Sequence, residues 1–474
     1  MNIIDRIYIN GQFVQPHGSE VLDLINPTTG KLASRVTLAD GRDAYDAIAA
    51  AKRAYATFSQ TSVAQRIDYL QRLHDAVAAR ADELQQVMID EYGGPVATSR
   101  GTTNRAANAF LQAIKLLKTY NFERQAGSAK VIMSSLGVVG LITPWNANYS
   151  FICSKLSMAI AVGSTAVIKP SELSAAQTQI LTECLHQAGL PPGVFNIVTG
   201  RGDTVGAAIT SHPDIAKISF TGSTAVGKTI ARGAIDTMKR VTLELGGKSP
   251  NVILDDADLH KAMPIAASAM SMNSGQACLA GTRLIVPHSR LEEVKALIKQ
   301  AVAELKVGDP HDSSTQIGPL ITQKQFDRVQ SLIRKGIEEG AQVLIGGEGK
   351  PDGLENGYFV KPTVFVNVTN DMTIAREEIF GPVLSIITYQ TEEEAIAIAN
   401  DTVYGLHGYV SSGNLERANR VASQIIAGRV FINGLYDEPE APFGGFKQSG
   451  IGREFGTYGL EAYLEPKAIL GYAA

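Results

Sequence analysis

Between residues 138 and 245 the chain alternates five short apolar runs with four stretches of helical periodicity, and no other feature restricts the fold as much. The runs are Val138 to Thr143, Ala166 to Lys169, Val194 to Val198, Ile215 to Phe220 and Arg240 to Leu245. Helical spacing fills Ser150 to Val162, Ser174 to Ala188, Asp203 to Thr210 and Thr224 to Ile235. Strands joined by crossover helices lie parallel, and strands this apolar are buried on both faces. The expected fold is therefore α/β, with a doubly wound parallel sheet.

A second alternating region runs from Asn251 to about Gln390, with a helix from Leu291 to Leu305 and strands near Val343, Val364 and Leu384. It predicts a second α/β unit, divided from the first by Gly246-Gly247-Lys248-Ser249-Pro250. Helical periodicity dominates from about Arg42 to Tyr120, and Ile7 to Val14 reads as a hairpin turning on Asn10-Gly11. The 43 basic and 47 acidic residues form no basic block, which argues against nucleic acid as a partner. The longest near-apolar segment, Leu156 to Ile168, is too short to span a bilayer. Cys153, Cys184 and Cys278 are odd in number and widely spaced, so neither a disulfide framework nor a metal site is expected. A reducing, cytoplasmic location suits them.

In open α/β sheets ligands bind beyond the carboxyl ends of the strands. Those ends carry Asn146, then Lys169 and Glu172, then Gly200-Arg201-Gly202, then Gly222-Ser223, then Glu244. A carboxamide, an ammonium, two carboxylates and a helix N-terminus thus share one edge. Singly each reads as a cap or a solvated charge; five consecutive strand ends point to a site. The helix opening at Gly222-Ser223 suits a phosphate or pyrophosphate. Cys278 sits in the small-residue stretch Asn273-Ser274-Gly275-Gln276-Ala277-Cys278, a setting for a nucleophile rather than for core filler. One alternative is that Gly222 to Thr229, which fits GxxxxGK[ST], is a P-loop with Asp255-Asp256 as its acidic strand, making a nucleotide-hydrolysing or phosphotransfer enzyme. Another is a non-catalytic structural relative of the fold.

Phe220-Thr221-Gly222-Ser223, Leu243-Glu244-Leu245-Gly246-Gly247-Lys248, Gly275-Gln276-Ala277-Cys278, Pro144-Trp145-Asn146, Lys169-Pro170-Ser171-Glu172, Glu378-Ile379-Phe380-Gly381-Pro382 and Pro442-Phe443-Gly444-Gly445 run in order across nearly the whole chain. Together they resemble the aldehyde dehydrogenase superfamily. That resemblance implies NAD(P)-dependent oxidation of an aldehyde through a thioester on Cys278. Asn146 would hold the oxyanion, and Glu244 would activate the hydrolytic water. Lys169 and Glu172 would contact the adenosine ribose, Gly222 and Ser223 the pyrophosphate, and Glu378 the nicotinamide ribose, with Phe380 and Trp145 alongside. Asn148, Tyr149, Tyr436 and Phe443 are expected in the substrate pocket, and Glu454 resembles a relay glutamate, against which stands an ordinary surface salt bridge.

The same resemblance divides the chain into a cofactor domain (1–116 and 136–246), a catalytic domain (247–445) and a small β oligomerisation segment (117–135 and 455–474), and implies a homodimer or homotetramer. Glu172 favours NAD over NADP, since a carboxylate repels a 2′-phosphate. Asp437, Glu438 and Glu440 lie in a loop that the resemblance places at the pocket mouth, and with no Lys or Arg between Val430 and Phe446 they lead to the expectation that neutral or cationic aldehydes are preferred over carboxylate-bearing semialdehydes.

Overall fold

The computed structural model describes residues 2–471. The five parallel strands form as expected: Val138–Ile142, Thr165–Lys169, Phe195–Ile197, Ile215–Thr221 and Arg240–Glu244. Their spatial order runs from Arg240–Glu244 through Ile215–Thr221, Val138–Ile142 and Thr165–Lys169 to Phe195–Ile197. The order reverses beside Val138–Ile142, which opens a crevice at the carboxyl edge. Antiparallel additions close both sides: the hairpin Ile7–Ile9 and Gln12–Val14 beyond Phe195–Ile197, and Gly450–Ile451 beyond Arg240–Glu244. Asn10 and Gly11 both take positive φ, as a tight two-residue hairpin turn needs.

Strand alternation assigns the two faces of this sheet to two cores. Val139, Leu141, Ala166 and Ile168 pack with the helices Val63–Ala79, Ala81–Tyr92, Val96–Leu117 and Asn148–Val162. Val138, Ile142, Val167, Ile218 and Phe220 pack on the other side with Gly41–Phe58 and Thr224–Ile235. One expected helix differs. Asp203 to Thr210 begins as a π-helical turn, Gly202–Gly206, and becomes α-helical only at Ala207–Ser211. The Gly206 N–H bonds back to the Arg201 carbonyl, five residues earlier, and glycines at 202 and 206 leave the two ends of that wide turn without side chains.

The second sheet has seven strands in the order Gln342–Ile345, Thr363–Val366, Val383–Tyr389, Arg283–Pro287, Pro250–Ile253, His407–Ser411 and Arg429–Ile432. All neighbours are parallel except the first pair. Helices Leu259–Ser271 and Leu291–Ala303 cover one face at its centre. A third sheet pairs Leu464–Ile469, Ala129–Ser135 and Glu123–Ala126, with Glu123–Ala126 fully exposed at its edge. Residues 472–474, the end of the expected oligomerisation segment, lie outside the described residues. Strands Val21–Ile25 and Leu32–Thr37, joined across Asn26-Pro27-Thr28-Thr29-Gly30, were not anticipated. Among the described residues no helix is long and apolar enough to cross a membrane.

Candidate active site

Strand register brings the expected edge residues together. Ile142 lies beside Phe220 and Lys169, and Thr221 beside Glu244. The segment that carries Cys278 approaches from the second unit. It arrives through three consecutive left-handed residues, Asn273 (φ 53°), Ser274 (φ 59°) and Gly275 (φ 75°). A β-carbon at residue 275 would fall 2.2 Å from the Gly381 carbonyl carbon, so only glycine fits. The strain is held by hydrogen bonds. The Asn273 amide donates to the Asn146 carbonyl at 2.8 Å, and Ser274 Oγ accepts from the Gly318 N–H at 2.9 Å. Gln276, fully buried, donates to Tyr92 Oη at 3.1 Å and accepts from the Ile321 N–H at 3.0 Å.

Asn146 donates through Nδ2 to the Gln276 carbonyl at 2.8 Å, two residues before Cys278. That bond fixes the amide plane and leaves its second N–H for another acceptor. Cys278 is half-buried, whereas Cys153 and Cys184 are buried. Burial, reinforced by the nearby Glu378 and Glu244 carboxylates, pushes the Cys278 thiol up to about 12. It therefore rests protonated, and attack must be coupled to loss of that proton.

Glu244 is 2% exposed, and neither carboxylate oxygen has a hydrogen-bond partner. Burial and then the charge of Glu454 raise its pKa well above the ordinary carboxylate range. It faces Gly444, where a β-carbon would come within 2.7 Å of Oε1. Glu454 is not on the surface: it forms a buried ion pair with Lys155, and Ser219 Oγ donates to it at 3.0 Å. Glu378 accepts from the Gly247 N–H at 3.0 Å, and burial raises its pKa to about 7. Phe380 meets Trp145 edge to face, with centroids 5.5 Å apart.

At the far end of the edge Lys169 Nζ donates to the Pro170 carbonyl at 2.9 Å and to Glu172 at 3.3 Å. Beside them a cleft of about 710 Å³ opens between the turn at 202–206 and helix Thr224–Ile235, lined by Thr204, Gly206, Val226 and Ile230 among others. A cleft with small residues and an apolar wall, a helix N-terminus after Ser223, and the Glu172 and Glu378 carboxylates along the same edge fit a dinucleotide. The P-loop alternative fails on geometry. Lys228 Nζ donates to Gln448 Oε1 at 2.8 Å, Ser223 caps its own helix, and Asp255 and Asp256 belong to the other sheet, where both pair with Arg417.

The pocket expectations need correction. Asn148 and Tyr149 are both fully buried; Asn148 donates to Thr178 Oγ1 at 3.0 Å and the Tyr149 hydroxyl lies 2.8 Å from Thr103 Oγ1. Their inward-facing positions on helix Asn148–Val162 offer a substrate no surface. Tyr436 and Phe443 do border an aromatic wall, with Phe431 6.1 Å from Tyr436 and Phe455 5.7 Å from Phe443. The mouth is not purely acidic. Lys115 pairs with Glu440, Arg105 and Arg429 feel the charge of Asp437, and Arg429 donates to the Pro442 carbonyl at 2.9 Å while its guanidinium lies over Phe443.

Two buried groups escaped the sequence reading. His407 is 1% exposed with neither ring nitrogen partnered, and burial with the Arg429 charge lowers its pKa to about 3. Its strand neighbour Tyr409 donates to the carbonyl of Leu279, next to the nucleophile, at 2.7 Å. Lys248 Nζ is likewise buried without a partner. His407 opens the strand His407–Ser411 and Lys248 lies in the link Gly246 to Pro250, and no local pattern at either position signals a buried group.

A two-unit α/β fold with a cleft at the carboxyl edge of its first parallel sheet is the architecture of a nicotinamide-dependent oxidoreductase. Residues 13–469 match the model of the aldehyde dehydrogenase family. The 3-succinoylsemialdehyde-pyridine dehydrogenase of a Pseudomonas species is 46% identical over 469 residues, covering 98% of each chain. The solved structure of an aldehyde dehydrogenase C mutant from Pseudomonas syringae, in complex with NAD+ and octanal, is 46% identical with a TM-score of 0.97, covering 99% of this chain and 97% of that one. Betaine aldehyde dehydrogenase from Staphylococcus aureus with NAD+ is 34% identical, with a TM-score of 0.95 over 98% and 94% of the two chains. The chain belongs to the aldehyde dehydrogenase family, and its reaction class is NAD(P)-dependent oxidation of an aldehyde.

Proposed function

We propose that the protein oxidises an aldehyde to the carboxylic acid with NAD, hydrolysing a Cys278 thioester. The observation that carries the hydrolytic step is Glu244, a buried carboxylate with both oxygens free and its pKa raised. Such a group is a base suited to near-neutral pH.

Cys278 Sγ attacks the carbonyl carbon as its proton passes through water to bulk solvent, the one proton the overall oxidation releases. The Asn146 amide and the Cys278 backbone N–H hold the oxyanion, a contact of the kind worth about 3 kcal/mol of barrier. A nicotinamide bound here would supply the acceptor for the hydride that leaves the substrate carbon. Glu378 and the Lys169–Glu172 pair would hold the two riboses, the helix N-terminus after Ser223 would face the pyrophosphate, and Trp145 and Phe380 would line the nicotinamide end. Glu244 then takes a proton from water, whose oxygen attacks the thioester carbon. The C–S bond breaks, the acid leaves and the thiol is restored. The proton that Glu244 collected passes to the leaving sulfur, which restores both the thiol and the carboxylate, and the nearby Glu454 charge keeps the proton affinity of Glu244 high.

The paired charges at the mouth support selection by the apolar wall rather than by substrate charge. An aldehyde with an apolar or aromatic body, held against Phe431, Tyr436 and Phe443, is the class this wall fits. NAD+ in related structures and Glu172 here support NAD over NADP. The division into 1–116 with 136–246, 247–445, and 117–135 with 455–474 is proposed as a functional one. In it the exposed edge Glu123–Ala126 serves a homo-oligomer. A cytoplasmic location accords with three free cysteines.

The test is Glu244→Gln. Mixing with NAD and an aldehyde should release one equivalent of reduced cofactor per Cys278 in a burst, followed by slow turnover. Unchanged steady-state turnover would remove Glu244 from the hydrolytic step.

A further inference from the structure

Arg201 stands at the end of the third parallel strand, beside the carboxylate that follows the second. Its Nη1 lies 3.8 Å from Glu172 Oε1. In doubly wound folds the acid after the second strand takes the ribose 2′-hydroxyl, and an arginine nearby accommodates a 2′-phosphate. Arg201 is thus placed for NADP, yet its fork is already engaged. Nε and Nη2 both donate to Glu20 Oε1, at 3.1 and 2.6 Å.

Glu20 comes from the N-terminal segment, outside the parallel sheet, and backbone bonds hold it there. The Glu20 carbonyl accepts from the Leu38 N–H at 2.8 Å, and the next residue, Ala39, donates to the Thr199 carbonyl at 2.9 Å. Lys169 and Arg201 are thereby balanced by Glu172 and Glu20, and Asp203 adds a further negative field at both cations. Neither Lys169 nor Arg201 is left unpaired for a phosphate.

We infer that Glu20 and Arg201 form a cofactor-selecting lock, in which Glu20 occupies the guanidinium that would otherwise bind a 2′-phosphate. The inference rests on the cofactor reading above and adds a residue from outside the cofactor sheet to its specificity. Glu172 alone would leave Arg201 free to compensate for its repulsion; Glu20 removes that compensation.

The experiment compares binding of 5′-AMP and adenosine 2′,5′-bisphosphate to the whole protein by calorimetry, with kcat/KM for NAD and NADP measured alongside. In Glu20→Gln the affinity ratio should move toward the bisphosphate by about two- to fivefold, the size expected from an exposed ion pair. The NADP to NAD ratio of kcat/KM should move in the same direction, and both gains should shrink in high salt. Adding Arg201→Ala should return both ratios to or below those of the starting protein. Binding of 5′-AMP with an unmoved ratio in Glu20→Gln overturns the lock, as does a gain that survives Arg201→Ala. If neither nucleotide binds, the cofactor reading falls and the lock with it.

Discussion

At the adenosine end of the cleft the charges are matched: Lys169 with Glu172, and Arg201 with Glu20. The catalytic end is built differently. Glu244, Lys248 and His407 are each at most 2% exposed, and their carboxylate, ammonium and imidazole atoms have no hydrogen-bond partner among the described residues. Matched charges define a recognition surface without demanding that any group change protonation state. Unmatched buried groups destabilise the fold, because desolvation is not repaid. In return their proton affinities become adjustable, which a proton-transferring site requires. The nucleophile loop follows the same logic, with three left-handed residues held in place by Tyr92, Asn146 and Gln276 contacts.

The sharpest way to separate the two ends is Cys278→Ser. Aldehyde oxidation should fall by on the order of 10⁴-fold or more, because the alcohol is a far weaker nucleophile and the groups of such a site act as a unit. Binding of 5′-AMP, measured by calorimetry, should stay near that of the unmodified protein. Substantial turnover would remove the nucleophile assignment, and lost 5′-AMP binding would mean that the two ends are not separable.

What the sequence made legible follows the same division. The five strands could be read because burial on both faces demands short apolar runs, and the site edge because parallel topology sends every strand end to one side. The contacts that modify those residues were hidden by distance along the chain. Glu20 meets Arg201 across 181 positions, and Glu440 meets Lys115 across 325. No local pattern pairs such residues, which is why the mouth looked purely acidic and Glu454 could be a surface charge. Asn148 and Tyr149 were misplaced for a different reason. Adjacency to Asn146 suggested a shared pocket, but the helix begins at Asn148 and turns both side chains inward.

A middle-sized effect is expected from pH. Glu244 has a folded-state pKa raised well above the value of about 4.3 for a free carboxylate. Its contribution to stability is complete below that value and is lost as pH rises through the folded pKa. Glu244→Gln cannot ionise. The gap in apparent Tm between the Gln variant and the unmodified protein should therefore widen in the variant's favour as pH is raised from about 5 to 9, by scanning calorimetry at fixed scan rate. A gap that does not change with pH would mean that the carboxylate is solvated or paired, and the contrast between the two ends would lose its main support.

The smallest effect should come from His407, and its pH dependence should have the opposite sign. Burial and the Arg429 charge lower its pKa to about 3, so the ring is neutral in the fold at working pH. A depressed histidine contributes stability that is present above its ordinary value of about 6.5 and is lost as pH falls toward the folded value. Leucine in its place would pack against Phe431 and Phe443 without two unpaired nitrogens. Leaving such a buried polar group unsatisfied costs about 1–3 kcal/mol, offset in part by the ring contacts, with centroids 4.9 Å from Phe431 and 5.8 Å from Phe443. His407→Leu should thus raise the apparent Tm by a degree or two at pH above about 7, with a constant gap there, and by more as pH falls below about 6. A variant that melts lower at every pH would mean that the imidazole nitrogens are satisfied in solution, by water or by a neighbour. His407 would then belong with the matched charges of the adenosine end rather than with Glu244.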